Sequence, residues 1–131
     1  VRTLDTNFVV RLLIGDDPQQ TPIAERAFLD AIASGGVYLP DVVLAEVARV
    51  LRGYDLLERL VRTRAVIVDE IDAVIDALEH FRQRGDLADQ LILARADALP
   101  VLSFGQRFSR WEGVEWMTSR RFLVSCGLFL G

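Results

Sequence analysis

The strand-like segments of this chain are very short, and helical pattern separates each from the next. Residues 2–5, 37–39, 65–68 and 101–102 read as extended runs, and residues 114–116 offer a fifth. Between them, Ile23, Ala24, Ala27, Phe28, Ala31 and Ile32 share one helical face, and Ile71, Val74, Ile75, Leu78 and Phe81 share another. Residues 6–14, 41–52, 55–63 and 86–96 complete the helical set, with Gly15, the Gly35-Gly36 pair and Gly85 as stops. Short buried strands alternating with helices predict an α/β fold in which helices cover both faces of a parallel sheet. Ligands of such sheets bind beyond the carboxyl ends of the strands, and Asp5 stands at one of those ends.

At 131 residues the chain is expected to form one domain with one core. No apolar run approaches the roughly 18 residues of a membrane span, no signal-peptide pattern opens the sequence, and Cys126 is the only cysteine. A reducing cytoplasm, with no membrane association, is the expected setting. The formal charge of −4 argues against a strongly basic nucleic-acid binder, but not against nucleic acid reached through a local patch or a metal. All 15 basic residues are arginine.

Three places concentrate acids in demanding positions. Asp5 lies in LDTN, at a strand-to-helix junction where a carboxylate caps the helix beginning at Thr6 and also points out of the sheet edge. Glu46 lies in an almost wholly apolar helix, in one row with Val42 and Val50. A carboxylate in that setting calls for an arginine, Arg49 or Arg52, or for a bound cation. Asp86 and Asp89, in GDLADQLILARA, fit the N-cap and third position of a helix, where the exposed amides stabilise negative charge. Capping alone and metal binding both satisfy that pattern, and local sequence does not choose between them. Asp41 is expected to cap the helix that carries Glu46.

Other chemistries lack their parts. His80 is the only histidine and faces away from the apolar stripe of its helix, so Ser-His-Asp and Cys-His mechanisms have no base. No glycine-rich phosphate loop occurs. Phospho-receiver domains and haloacid-type phosphatases also place acids at strand ends, but both use a lysine. What remains is a set of hard carboxylate oxygens, which suits Mg²⁺ or Mn²⁺ better than zinc.

Taken in order, LDTN with VVRLLIGDDPQQ, LPDVVLAEVARVL, GDLADQLILARA and LSFGQRF resemble the PIN-domain family, and within it the VapC-type toxins of toxin–antitoxin pairs. The resemblance spans about residues 2–116 and leaves 117–131 as a C-terminal extension. It implies a three-layer α/β/α sandwich with a parallel sheet of four to five strands. It also implies a metal-dependent endoribonuclease that cuts RNA, often tRNA, by phosphodiester hydrolysis, that pairs with a cognate antitoxin, and that forms a homodimer. Carried over residue by residue, Asp5, Glu46 and Asp89 match the catalytic and Mg²⁺- or Mn²⁺-binding acids, with Asp86 beside them. Thr6 and Asn7 match the polar residues that orient the first acid. Arg11, Arg49 and Arg107 are candidates for RNA phosphate contacts.

One departure stands out. The family commonly places an acid after the aromatic of its last motif, and here that position is Gly105. The fourth carboxylate is absent from its usual place. An alternative therefore stands beside the enzyme: a weakened or inactive PIN domain that binds antitoxin or RNA. The apolar residues within 122–130 suggest an added edge strand, a dimer contact, a cover for the groove, or an extension without function.

Overall fold

Among the described residues, backbone hydrogen bonding gives five short strands, joined in three pairings that are all parallel. The computed structural model describes residues 1–83 and 85–103 together with the backbone of 114–116. Strands β1 (Arg2–Thr3), β2 (Val37–Tyr38) and β3 (Val66–Ile67) form one sheet in the order β1-β2-β3, with Arg2 opposite Val37 and Val37 opposite Val66. Strands β4 (Val101–Ser103) and β5 (Val114–Trp116) form a separate parallel pair. The strands expected from sequence are present, and their ladders divide three and two.

The described residues also form six helices: α1 (Thr6–Ile14), α2 (Gln20–Ala33), α3 (Asp41–Leu51), α4 (Asp55–Arg62), α5 (Ile71–Gln83) and α6 (Leu87–Ala96). The chain divides into two compact units, Val1–Ala94 and Arg95–Gly131. The first contains the three-stranded sheet and a core built on Val9, Val37, Leu39, Leu44, Val47, Leu57, Val74, Leu78 and Leu87, all essentially without solvent contact. Strand β2 is central, so Val37 and Leu39 on either side of Tyr38 are closed off completely. The second unit contributes the β4–β5 ladder.

The start of β2 is fixed by a close backbone approach. Gly36 has φ +108, and a Cβ there would lie 2.5 Å from the Ala65 carbonyl oxygen. That same oxygen accepts the Val37 N–H at 2.9 Å. Only glycine satisfies both the dihedral and the contact.

Helix starts follow local chemistry. Asp5 is extended and its side chain caps α1, which ends at Gly15 in the left-handed region. Helix α3 departs from expectation: Pro40, not Asp41, is its N-cap. The Pro40 carbonyl already accepts the Val43 and Leu44 N–H groups at 3.0 and 3.1 Å, which places Asp41 inside the first turn. Ahead of α2, Asp17 Oδ1 accepts the N–H groups of Gln19 and Gln20 at 2.9 and 2.7 Å.

Those amides, Gln20 first, hold the Asp17 carboxyl below its ordinary 3.8. A lowered folded value means that the stabilisation is complete above pH 3.8 and is lost as pH falls through the lowered value. Urea midpoints of wild type and Asp17→Ala should therefore differ at neutral pH and converge in strong acid. A constant difference across the titration would show that the charge is not the source.

Candidate active site

The carboxyl end of β1 delivers Asp5 to the amino end of α1. The Phe8 N–H donates to Asp5 Oδ1 at 2.9 Å, which fixes the carboxylate and leaves Oδ2 uncommitted among the described residues. The next residue reaches across to α3: the Thr6 hydroxyl donates to Glu46 Oε2 at 2.5 Å, joining positions 40 residues apart. Packing of α1 against α3 brings those two side chains together. Helix α3 turns Val43, Leu44, Val47 and Ala48 into the core.

Glu46 is therefore not a buried acid seeking compensation. Its row is the outward one, with Val42 and Val50 at 61% and 55% exposure. Of the two partners that the sequence offered Glu46, an arginine (Arg49 or Arg52) or a cation, the arginine gives way to the Thr6 hydroxyl, the donor that α1 presents to that row. Arg49, one turn further along, reaches α6 instead, with its Nη2 3.4 Å from Asp86 Oδ2.

Asp86 is an N-cap, as its position suggested. Its Oδ1 accepts the Ala88 N–H at 2.8 Å, and its backbone carbonyl accepts the Gln90 N–H at 3.2 Å. Asp89 follows, half-buried in the first turn of α6, where the helix N-terminus favours negative charge. The first unit thus links two pairs from the expected residues: Thr6, beside Asp5, with Glu46 of α3, and Arg49 of α3 with Asp86 at the start of α6. Among the described residues, no three Asp, Glu, His or Cys side chains are gathered closely enough to hold a metal ion. Glu46 and Asp86 direct their oxygens to a hydroxyl, a helix amide and a guanidinium. Gly105 and Arg107 lie outside the described residues.

Two cavities adjoin Asp5, and both also touch Phe8. One, of about 300 Å³, runs between α1 and α2 and is lined by Asn7, Arg11, Gln20, Ile23 and Ala24 as well. The other, of about 350 Å³, follows the β1 edge past Arg2, Thr3 and Leu4 to Ala27 and Ala31. Arg11 is held in place at the first cavity: its Nε donates to Gln20 Oε1 at 2.9 Å, and Nη1 lies 3.8 Å from Asp16 Oδ1. Sequence reading named Arg11 as a site candidate but passed over Gln20, and it placed Ile23 on the apolar face of its helix, where the structure leaves it 69% exposed. The usable signal was the spacing of α1 and α2 across a short turn, which makes their facing rows neighbours.

The sequence model of the PIN-domain family matches residues 3–114, which covers the elements from β1 to the first residue of β5. The chain belongs to the PIN-domain family. Neither a curated protein nor a solved structure matches it. PIN domains are generally nucleases and typically depend on Mg²⁺ or Mn²⁺. The donor set of this PIN domain fits such an ion in kind, because every candidate ligand is a hard carboxylate oxygen and no thiolate or imidazole stands among them. No helix among the described residues is long and apolar enough to cross a membrane.

Proposed function

We propose that this PIN domain is a Mg²⁺- or Mn²⁺-dependent endoribonuclease of the VapC type, which hydrolyses tRNA or other structured RNA in the cytoplasm and is held in check by a cognate antitoxin. The observation that carries this reading is the Thr6–Glu46 hydrogen bond, which ties the helix end bearing Asp5 to the acid of α3. The Arg49–Asp86 pair supports it by joining α3 to the start of α6, one turn from Asp89.

Asp5, Glu46 and Asp89 are the residues that would hold the ion, with Asp86 beside them. When bound, a divalent cation supplies Lewis acidity toward the scissile phosphate. Asp5 is oriented because the Phe8 N–H at the start of α1 holds one of its oxygens. Thr6 fixes the rotamer of Glu46, and Asn7 follows at the exposed start of α1. Arg11 and Arg49 offer guanidinium N–H groups to RNA phosphates, and Arg107 is the third candidate that the sequence supplies. Attack by water in line with the leaving O3′ breaks the P–O3′ bond and leaves 5′-phosphate and 3′-hydroxyl ends. The exposed apolar residues Val42, Val50 and Leu56 on α3 and α4 favour a homodimer.

The test is cleavage of total tRNA in Mg²⁺ or Mn²⁺. Cutting that EDTA stops supports the enzyme, and intact RNA at high protein concentration overturns it. Gly105 favours a second reading, a PIN domain with weakened or lost cleavage that binds antitoxin or RNA, and the same assay separates the two.

Thr6 gives a finer test. Thr6→Val should lower kcat by about 10- to 100-fold, the usual effect of removing a partner that orients a ligand, whereas Thr6→Ser restores it. Unchanged kcat in the valine variant would leave Glu46 without need of this hydroxyl.

A further inference from the structure

The two cavities beside Asp5 differ in what they can recognise. The one along β1 has no amide side chain on its walls; Arg2 and Asp5 are its only charged residues. The one between α1 and α2 sets Phe8, Ile23 and Ala24 against Asn7, Gln20 and Arg11. Ile23 is 69% exposed although it is a large aliphatic residue, and it stands on the lip of this cavity. At about 300 Å³ the space lies at the small end of ligand sites, sized for one flat heterocycle and its sugar rather than a helix or a duplex.

The polar side of the cavity is arranged for reading an edge. Gln20 Oε1 accepts from Arg11 Nε, which fixes the amide's orientation and leaves its NH₂ group as a donor toward a ligand. Asn7, exposed in the first turn of α1, brings both a donor and an acceptor. Arg11, braced by Gln20 and Asp16, keeps further N–H groups for an anion. An apolar wall, two amides and a fixed guanidinium match one unstacked nucleotide, whose base meets the wall and amides and whose phosphate meets the arginine.

We propose that the α1–α2 cavity is a base subsite, which seats the nucleobase next to the scissile phosphate and gives the enzyme a preferred base at that position. The placement next to the cut rests on the cleavage reading above, since Asp5 is common to the cavity and the site; the selectivity for a base does not. A paired base cannot enter, because its edge is already taken by its partner. Gln20 and Asn7 are the specificity-determining residues, and Ile23 supplies the wall.

Fluorescence anisotropy with four labelled hexanucleotides, each of a single base, tests this in EDTA, where nothing is cut. Wild type should favour one base by at least about fivefold, Gln20→Ala should level the four affinities, and Ile23→Ser should weaken the preferred one by about fivefold or more. Both residues are exposed, so neither change threatens the fold. Ile71→Ser, at another exposed aliphatic residue, on α5, should change nothing. Equal affinities in wild type, absence of binding, or a preference that both cavity variants retain overturns the proposal and leaves the cavity to a peptide occupant. Base preference without Mn²⁺-dependent cutting removes the nuclease reading and keeps the subsite. Cutting without base preference does the reverse.

Discussion

Asp5→Asn should abolish metal-dependent RNA cleavage, by about two to four orders of magnitude in initial rate, while leaving the thermal midpoint nearly unchanged. The two halves of that expectation have separate origins. The amide oxygen of asparagine accepts the Phe8 N–H as well as the carboxylate does, and Asn and Asp are nearly equal as N-caps. Charge is what the substitution removes, and an uncharged oxygen is a poor ligand for a hard divalent ion. Asp5→Ala supplies the contrast: the same loss of cutting, with an added loss of about 1 kcal/mol of stability from the missing cap. Initial rates on tRNA in Mn²⁺ and circular-dichroism melts of the three proteins check both halves. An asparagine variant that cuts at the wild-type rate would remove Asp5 from the reaction.

Gly36→Ala should be the most destabilising single methyl that can be added to the three-stranded sheet. Two costs coincide there. The residue holds φ +108, where an L side chain is strained by about 1–3 kcal/mol. The new Cβ also meets the Ala65 carbonyl oxygen at 2.5 Å, and that atom belongs to backbone held by the Val37 N–H. Relief requires parting β2 from β3, so overpacking adds about 1–3 kcal/mol more. Against a typical total of about 5–15 kcal/mol, the variant should lose a large share of its stability in urea. A loss below about 1 kcal/mol would mean that the two strands separate easily at this end.

Much of this was legible because it is local. An aspartate directly ahead of a helix, two or three positions before a first-turn amide, specifies its own cap, and Asp5 and Asp86 both do so toward Phe8 and Ala88. The glycines read as stops, at 15, 35, 36 and 85, all take a positive φ. The order of strands and helices followed from run lengths alone. What failed was also informative. Helix α3, DVVLAEVARVL, is apolar nearly all round, so periodicity does not say whether the Val43–Val47 row or the Val42–Val50 row faces inward. Packing against α1 decided it, and Glu46 went outward with the second row. Asp41 lost its predicted cap role because the Pro40 carbonyl begins the helix one residue earlier. The Thr6–Glu46 and Arg49–Asp86 links join residues 40 and 37 positions apart, and no pattern within one segment encodes such partners. Gly105, the departure from the family's usual acid, is a sequence observation throughout.

The cap at the start of α1 also sets how this protein would answer a saturation scan. At most positions of an active site, foldedness tolerates nearly any polar replacement while turnover tolerates none. At position 5 the two readouts separate only for the few side chains that still accept from the Phe8 amide, with asparagine first and serine close behind. Every larger or apolar replacement lowers both together. A screen scored on abundance would therefore mark residue 5 as structural, and only the asparagine and serine clones, abundant yet inert, would reveal what the aspartate is for.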